Sequence, residues 1–153
     1  MNKLKQKNVR SESVTSAVTT RSYKARGKFC CKSNNLIYLL HCKRCGKQYV
    51  GETFQKLGRR IYEHDEHACN TNCYAEPDMA PPNYNHDNRQ EATTVARHFG
   101  TSPHSWDDVQ VQVLEFIHLD PEKEDTTELR RRRESVRIHR LRTIEPFGLN
   151  VLY

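Results

Sequence analysis

The chain lacks any long run of apolar residues. Only 35% of its 153 residues are hydrophobic, and its mean hydropathy is −0.91. A membrane-spanning helix needs about 20 consecutive apolar residues, and a secretory signal needs an apolar run of about 7–15 residues. Because neither is present, we expect a protein that does not cross a membrane and is not secreted. Without export, the six cysteines should be reduced thiols or metal ligands rather than disulfides.

The positive charge is concentrated at the N-terminus. Residues 1–29 hold eight Lys and Arg against one Glu, a net of +7, which leaves −1 for the rest of a chain whose overall charge is +6. Because this segment also lacks hydrophobic periodicity, we interpret it as a basic flexible arm or linker that attracts DNA phosphates. A mitochondrial presequence is the alternative, but the helical amphipathicity that it requires is poor.

Residues 30–153 have the length and patterning of one domain. Apolar runs at 36–41 and 47–53 flank a Gly-containing turn and predict a β-hairpin. A helix of about three turns should follow from Leu57, and residues 65–94 read as a long loop insertion because Asn, Pro and Asp dominate there. A helical turn at 95–99, a strand over 109–117 and a charged helix between 122 and 143 complete an α+β domain.

One carboxylate in the last helix stands apart from its neighbours. Glu134 lies on the same stripe as Ile138 and Leu141, which should face the core. A carboxylate on such a stripe is costly unless it is paired or bound to a metal. The alternative interpretation is a salt bridge to one of the many nearby arginines.

Several short motifs occur in a fixed order. Ten residues separate Tyr38 from Tyr49, and ten separate Tyr49 from Arg60. With the helix segment that ends at His64, the pair Arg133-Glu134 and the segment Gly148-Leu149-Asn150, this pattern resembles the GIY-YIG nucleases. Leu36 departs from the pattern, because it stands where that family has its first Gly, and we expect it to be a packing residue. The segments 42–45, 95–99 and 141–150, together with His104, resemble more closely the endonuclease domain of Penelope-like retroelements.

The resemblance implies a fold and a chemistry. The fold is a small three-stranded antiparallel sheet flanked by helices, and the chemistry is metal-dependent hydrolysis of DNA phosphodiesters. Glu134 would hold Mg²⁺ or Mn²⁺ and Arg60 would clamp the phosphate. His64 would relay a proton or contact phosphate, and Tyr38 or Tyr49 would orient or deprotonate water. Asn150 would take part in nucleic-acid binding.

The resemblance also carries a cellular context. It implies an upstream reverse transcriptase in a parent element, and a nuclear location in a eukaryotic host or a cytoplasmic one otherwise. From the run of four arginines at 130–133 we expect Arg130 and Arg131 to contact the DNA backbone, with a solvated helix face as the alternative.

Cys42 and Cys45 have the spacing of a zinc knuckle and lie in the hairpin turn, where both thiolates can approach one tetrahedral ion. His98, His104 or the pair Cys69 and Cys73 could complete the set, with His98 favoured because the resemblance recurs there. The alternative is two turn cysteines without metal. A second site at His67, Cys69 and Cys73 is disfavoured, because ligands in a long loop are often coincidental.

Two rival functions remain for the whole domain. The first is a catalytically inactive nucleic-acid-binding module that retains the fold. The second is a zinc-organised protein-interaction domain, which leaves the Tyr, Arg and Glu set unexplained.

Overall fold

The computed structural model describes residues 13–25, 30–73, 93–118 and 126–151, without the side chains of residues 67–73. Five strands and three α-helices lie in these ranges. The strands are β1 (Ser13–Thr15), β2 (Ser22–Lys24), β3 (Leu36–Cys42), β4 (Gln48–Thr53) and β5 (Val109–Phe116). The helices are α1 (Leu57–Cys73), α2 (Thr94–Gly100) and α3 (Thr126–Leu141).

The main sheet is antiparallel, with the strand order β4-β3-β5. In its register Tyr38 of β3 lies opposite Gly51 of β4 and opposite Val113 of β5. This arrangement confirms the α+β prediction of a small three-stranded antiparallel sheet flanked by helices. The strands predicted at 36–41, 47–53 and 109–117 and the helical turn predicted at 95–99 are present as β3, β4, β5 and α2.

The central strand β3 is buried on both faces. Leu36, Tyr38 and Leu40 point into a core cluster that they share with α1 and α2, whereas Ile37 and Leu39 point into a second cluster beneath α3. Successive side chains of a strand face opposite sides, so a strand covered on both sides reads as a continuous apolar run. Leu36 is a packing residue, as predicted.

The outer edge of β4 is covered by the chain that follows α3. The Asn150 side chain accepts a hydrogen bond from the Val50 N–H at 2.9 Å and donates one to the Val50 carbonyl at 2.8 Å. The Leu149 N–H donates to the Gln48 carbonyl. These bonds replace a fourth strand and protect the edge from pairing with another chain. Asn150 is 5% exposed, so the expectation that it contacts nucleic acid is corrected.

The structure also corrects the flexible-arm interpretation for residues 13–25. There β1 and β2 form a hairpin whose Val14 is buried in the α3-side cluster. The Ser16 hydroxyl donates to the Leu141 carbonyl at 2.8 Å, and the Tyr23 hydroxyl donates to the Arg140 carbonyl at 3.1 Å. The hairpin therefore caps the C-terminal end of α3. Residues 1–12 and 26–29 lie outside the described residues.

The prediction of a loop over 65–94 is wrong for residues 65–73 and for Thr94, which are helical. Helix α1 continues to Cys73, because no Pro or Gly lies between residues 65 and 73 to end it. Residues 74–92 lie outside the described residues, and Thr94 already begins α2. None of the described helices combines the length and apolar character needed to cross a membrane.

Candidate active site and metal cluster

Four of the predicted residues meet on the face of the sheet that α1 covers. The Tyr38 hydroxyl lies 2.7 Å from His64 Nε2 and accepts a hydrogen bond from Arg60 Nε at 3.3 Å. The Tyr49 ring centroid is 6.4 Å from that of Tyr38 and 5.7 Å from that of His64. Arg60 and His64 share one helix face because they lie four residues apart. The sequence prediction placed these four residues together, and the structure does so too.

The two tyrosines have different environments. Tyr38 is 0% exposed, and burial, followed by the nearby Tyr49, raises the pKa of its phenol. The phenol therefore stays protonated at neutral pH. Its oxygen accepts from Arg60, and its proton can be donated to His64 Nε2 in the tautomer that leaves that nitrogen unprotonated. Tyr49 is only half-buried, which makes it the tyrosine better placed to meet water.

Gly51 makes room for the two tyrosines. A Cβ atom at Gly51 would lie 2.5 Å from the Tyr38 hydroxyl oxygen and 2.9 Å from a Tyr49 ring carbon. Real Cβ atoms are not found that close to ring atoms. The sequence does not identify Gly51 as a site residue, because it does not show that the Tyr38 ring crosses over this position.

We expect Gly51→Ala to displace the Tyr38 hydroxyl from Arg60 and His64. Overpacking of this kind costs about 1–3 kcal/mol, and the DNA cleavage that the resemblance to the GIY-YIG nucleases implies should fall by more than about ten-fold. Gly58→Ala is the control. Its Cβ would make a tight contact of 3.1 Å with the Cys31 carbonyl oxygen, but alanine improves helix propensity by about 1 kcal/mol. Because the two effects oppose each other, stability and activity should change little. Chemical denaturation and a cleavage assay test both variants. Equal activity of Gly51→Ala and the unchanged chain would contradict the assignment.

Arg60 contacts both Tyr38 and a residue of its own helix. In addition to Tyr38, it contacts Glu63, with its Nη1 atom 3.2 Å from a Glu63 carboxylate oxygen. Its side chain is 34% exposed. A guanidinium has five N–H donors in a planar fork that matches a phosphate. The contacts with Tyr38 and Glu63 fix the plane of that fork at the rim of the site.

Glu134 reaches the same edge of the sheet from the other face. It is half-buried on α3, and its carboxyl accepts a hydrogen bond from the backbone N–H of Glu52 in β4. Burial, followed by the Glu52 carboxylate, raises the pKa of Glu134 to about 7, although Arg60 and Arg131 act in the opposite direction. A cation bound between the two carboxylates would offset the repulsion between them and would lower the pKa of Glu134 again.

Arg130 belongs to the fold. It is 4% exposed, and its guanidinium donates to Glu52 at 2.7 Å and to Asn35 and Thr127 at 3.3 Å each. This corrects the expectation that Arg130 contacts DNA. Arg131 is exposed and keeps that expectation. The sequence does not show this difference between Arg130 and Arg131, because the orientation of α3 about its own axis decides which arginine faces inward.

We expect Glu134→Gln to stabilise the metal-free protein above pH 7. The pKa of Glu134 in the folded protein lies above its ordinary value of 4.5. The contribution of this carboxyl to the free energy of unfolding is therefore highest below about pH 4.5 and is lost as the pH rises through 7. After a discount for solvent screening, Glu134→Gln should raise the free energy of unfolding at pH 8 by about 1–2 kcal/mol. At pH 4 the substitution should have no effect on it. Thermal denaturation at the two pH values measures the gain. Glu128→Gln, at an exposed position, is the control, and equal effects of the two substitutions would contradict the assignment.

A second cluster lies at the other end of β3. Among the described residues, Cys42, Cys45, His98 and His104 place one donor atom each within 4.8 Å of one another. Cys42 Sγ is 3.5 Å from His104 Nδ1, and Cys45 Sγ is 3.5 Å from His98 Nε2. A tetrahedral zinc ion with Zn–S near 2.3 Å and Zn–N near 2.0–2.1 Å separates sulfur from nitrogen by about 3.5 Å. The donor set therefore fits zinc.

Local structure brings these ligands together. Gly46, at φ 81°, turns the chain between the cysteines and β4, and its N–H donates to the Cys42 carbonyl. Helix α2 carries His98, and the imidazole of His104 stacks on that of His98 with centroids 4.1 Å apart. Burial, followed by His104 and Lys47, lowers the pKa of His98 to about 4, so it is neutral, which is the metal-binding form.

The structure places both histidines in the cluster, so His104 joins His98, which the sequence favoured. The side chains of Cys69 and Cys73, and of His67, lie outside the described residues. Cys30 and Cys31 are exposed and are not part of the cluster, because they precede the end of β3 that lies opposite Cys42.

Comparison with known proteins yields one family. The model of the GIY-YIG catalytic domain matches residues 34–143. No curated protein and no solved structure matches the chain. The match covers more than half of the chain and includes every residue of the two clusters described above.

Proposed function

The chain belongs to the GIY-YIG catalytic domain family, and from that premise we propose that it is a metal-dependent DNA endonuclease that nicks phosphodiester bonds. The family supports an endonuclease-type hydrolase with DNA as substrate. The observation that carries the proposal is that side chains from both faces of the sheet meet at one of its edges. There the Tyr38 hydroxyl joins Arg60 to His64, and Glu134 arrives from the opposite face.

Each residue has a role in hydrolysis. Arg60 binds the phosphate through its planar fork and stabilises the charge that develops there. Water attacks the phosphorus atom, the bond to the leaving oxygen breaks, and one proton leaves the water as another reaches that oxygen. Tyr49 orients the attacking water, because it is the less buried tyrosine and Arg60 interacts with it electrostatically. The proton of the water passes to bulk solvent, which also protonates the leaving oxygen. Tyr38 and His64 position Arg60.

The family's metal requirement fits the residues present. GIY-YIG nucleases are metal-dependent, and Glu134 would hold Mg²⁺ or Mn²⁺, hard cations that bind carboxylate oxygens together with water and phosphate. The raised pKa of Glu134 supports this role, because it reflects burial of the carboxyl and then the neighbouring Glu52 carboxylate, both of which a bound cation would offset. When bound, the ion would supply Lewis-acid stabilisation of the phosphate. The Cys42, Cys45, His98 and His104 cluster would hold Zn²⁺ as a structural ion.

The test is conversion of supercoiled plasmid to nicked circles by the purified chain with Mg²⁺, with Mn²⁺ and with chelator. We expect nicking only with a divalent cation. A folded chain that binds DNA but does not nick it with either ion would favour the rival function, an inactive nucleic-acid-binding module that retains the fold.

The finer biological context belongs to the proposal too. The resemblance of the cysteine and histidine motifs to Penelope-like retroelements favours an origin in such an element, downstream of a reverse transcriptase. The corresponding location is the nucleus in a eukaryotic host and the cytoplasm otherwise. Joining the chain to such a reverse transcriptase and measuring target-primed DNA synthesis at the nick tests this context separately from cleavage.

A further inference from the structure

An exposed aromatic ring stands at the rim of the candidate active site. Phe54 follows β4 directly and is 61% exposed. It lies two residues after Glu52, whose backbone N–H contacts the Glu134 carboxyl, and two residues span at most about 7 Å. Single exposed apolar residues are common, so the argument depends on how this ring is held and on what surrounds it.

A buried cation lies over one face of the ring. The Arg130 guanidinium carbon is 5.7 Å from the centroid of Phe54, and Arg130 is itself fixed by Glu52 and Asn35. An ordered guanidinium attracts the negative face of an aromatic ring and limits its rotation. Within the part of the chain that the structure describes, Phe54 therefore presents its other face to solvent, and a partner that stacks there costs little conformational entropy.

The charge around the ring favours a nucleic acid as its partner. Lys56 lies two residues after Phe54, Arg131 follows Arg130, and both are exposed. Arg60 lies in the adjacent active site. Exposed aromatic rings flanked by cations bind single-stranded nucleic acids, because bases stack on the ring while the cations track the phosphates.

The single free face restricts the form of the DNA. A side chain that wedges into a duplex inserts between base steps and needs both faces, whereas one face is sufficient for a base that has left its own stack. We propose that Phe54 stacks on an unpaired base next to the cleaved phosphate, so that forked or single-stranded DNA is preferred over paired DNA. The proposal rests on the proposed nuclease function and specifies its substrate class.

The test uses the full chain and two DNAs of the same sequence, one fully paired and one forked, with 2-aminopurine at the first unpaired position. We expect the fork to be cleaved about ten-fold faster than the paired DNA, since one stacked base contributes that much. In Phe54→Ala and Phe54→Leu the ratio of the cleavage rate on forked DNA to that on paired DNA should fall to about one, because neither alanine nor leucine has a π-face. Phe54→Trp should retain the preference.

Phe147→Ala is the matched control. Phe147 is 68% exposed, but its segment joins β4 at Gln48, about 17 Å from the end of the strand where Phe54 lies. It should leave the preference unchanged. In a Glu134→Gln background, which keeps the DNA intact, 2-aminopurine fluorescence should be quenched by the chain with Phe54 and not by the chain with Phe54→Ala.

The outcomes separate the two proposals. Cleavage without a fork preference, or a preference that survives Phe54→Ala, would overturn the stacking role and leave the nuclease standing. Absence of cleavage with Phe54-dependent quenching would overturn the nuclease and support the stacking. Absence of both cleavage and quenching would overturn both.

Discussion

Arg60→Ala is expected to reduce metal-dependent nicking by about 10²–10³-fold, the usual cost of removing one donor to the transition-state charge. Arg60 contacts Tyr38 from the partly exposed side of α1, and its guanidinium brings a planar cation to the rim of the site. Arg60→Lys should recover little, because a lysine point charge cannot present two donors in one plane. Initial rates on supercoiled plasmid at saturating Mg²⁺ measure both variants.

Arg59→Ala is the matched control for this prediction. Arg59 is the preceding residue of α1 and also pairs with Glu63, but its side chain is 72% exposed and lies away from Tyr38. Its removal should change the nicking rate by less than about three-fold, in line with the small energy of exposed ion pairs. Comparable losses in the two variants would indicate a general effect of helix charge on DNA binding rather than a transition-state role for Arg60.

The sequence predicted those parts of the fold that have local periodicity. Strands β3, β4 and β5 are apolar runs or alternate with period two, and α3 carries a periodic stripe, so each was identified from its own residues. The hairpin of β1 and β2 was missed because three-residue strands are too short to show a period. Its stability comes from Val14, which packs on residues distant in sequence.

The candidate site was predictable as a set of residues but not as a geometry. Tyr38, Tyr49, Arg60, His64 and Glu134 were identified from order and spacing, whereas the ranking of the two tyrosines needed their burial. The neighbouring arginines show the limit most clearly. Arg130 and Arg131 are equivalent in the sequence, yet one is buried against Glu52 and the other is exposed, because a rotation of about 100° along the helix separates them.

The same limit applies to Asn150 and His104. Asn150 stands in a motif, and only the register of the terminal segment on β4 shows that both ends of its amide bind Val50. His104 lies 62 residues from Cys42, and spacing alone left it equal to other candidates. Long-range contacts of this kind are set by tertiary packing, which local patterns do not encode.

Cys45→Ser is expected to remove zinc from the protein and to lower its melting temperature by more than about 10 °C. A bound structural ion stabilises only the folded state, so its binding free energy adds to the free energy of unfolding. For a chain of this length about 1 kcal/mol corresponds to 2–4 °C, so a loss of several kcal/mol gives a shift of that size. The cluster ties the turn between β3 and β4 to α2, so nicking should fall together with the folded fraction.

Cys30→Ser is the matched control, because Cys30 is an exposed thiol outside the cluster. Elemental analysis should find one zinc per chain in the unchanged protein and in Cys30→Ser, and less than half of that in Cys45→Ser. All measurements contain Mg²⁺, so that the ion at Glu134 is not limiting. Absence of zinc from all three proteins, together with equal melting temperatures, would show that the four donor atoms lie together without a metal. The stability of the β3–β4 turn would then have to come from the stacked imidazoles and the apolar cluster beneath them.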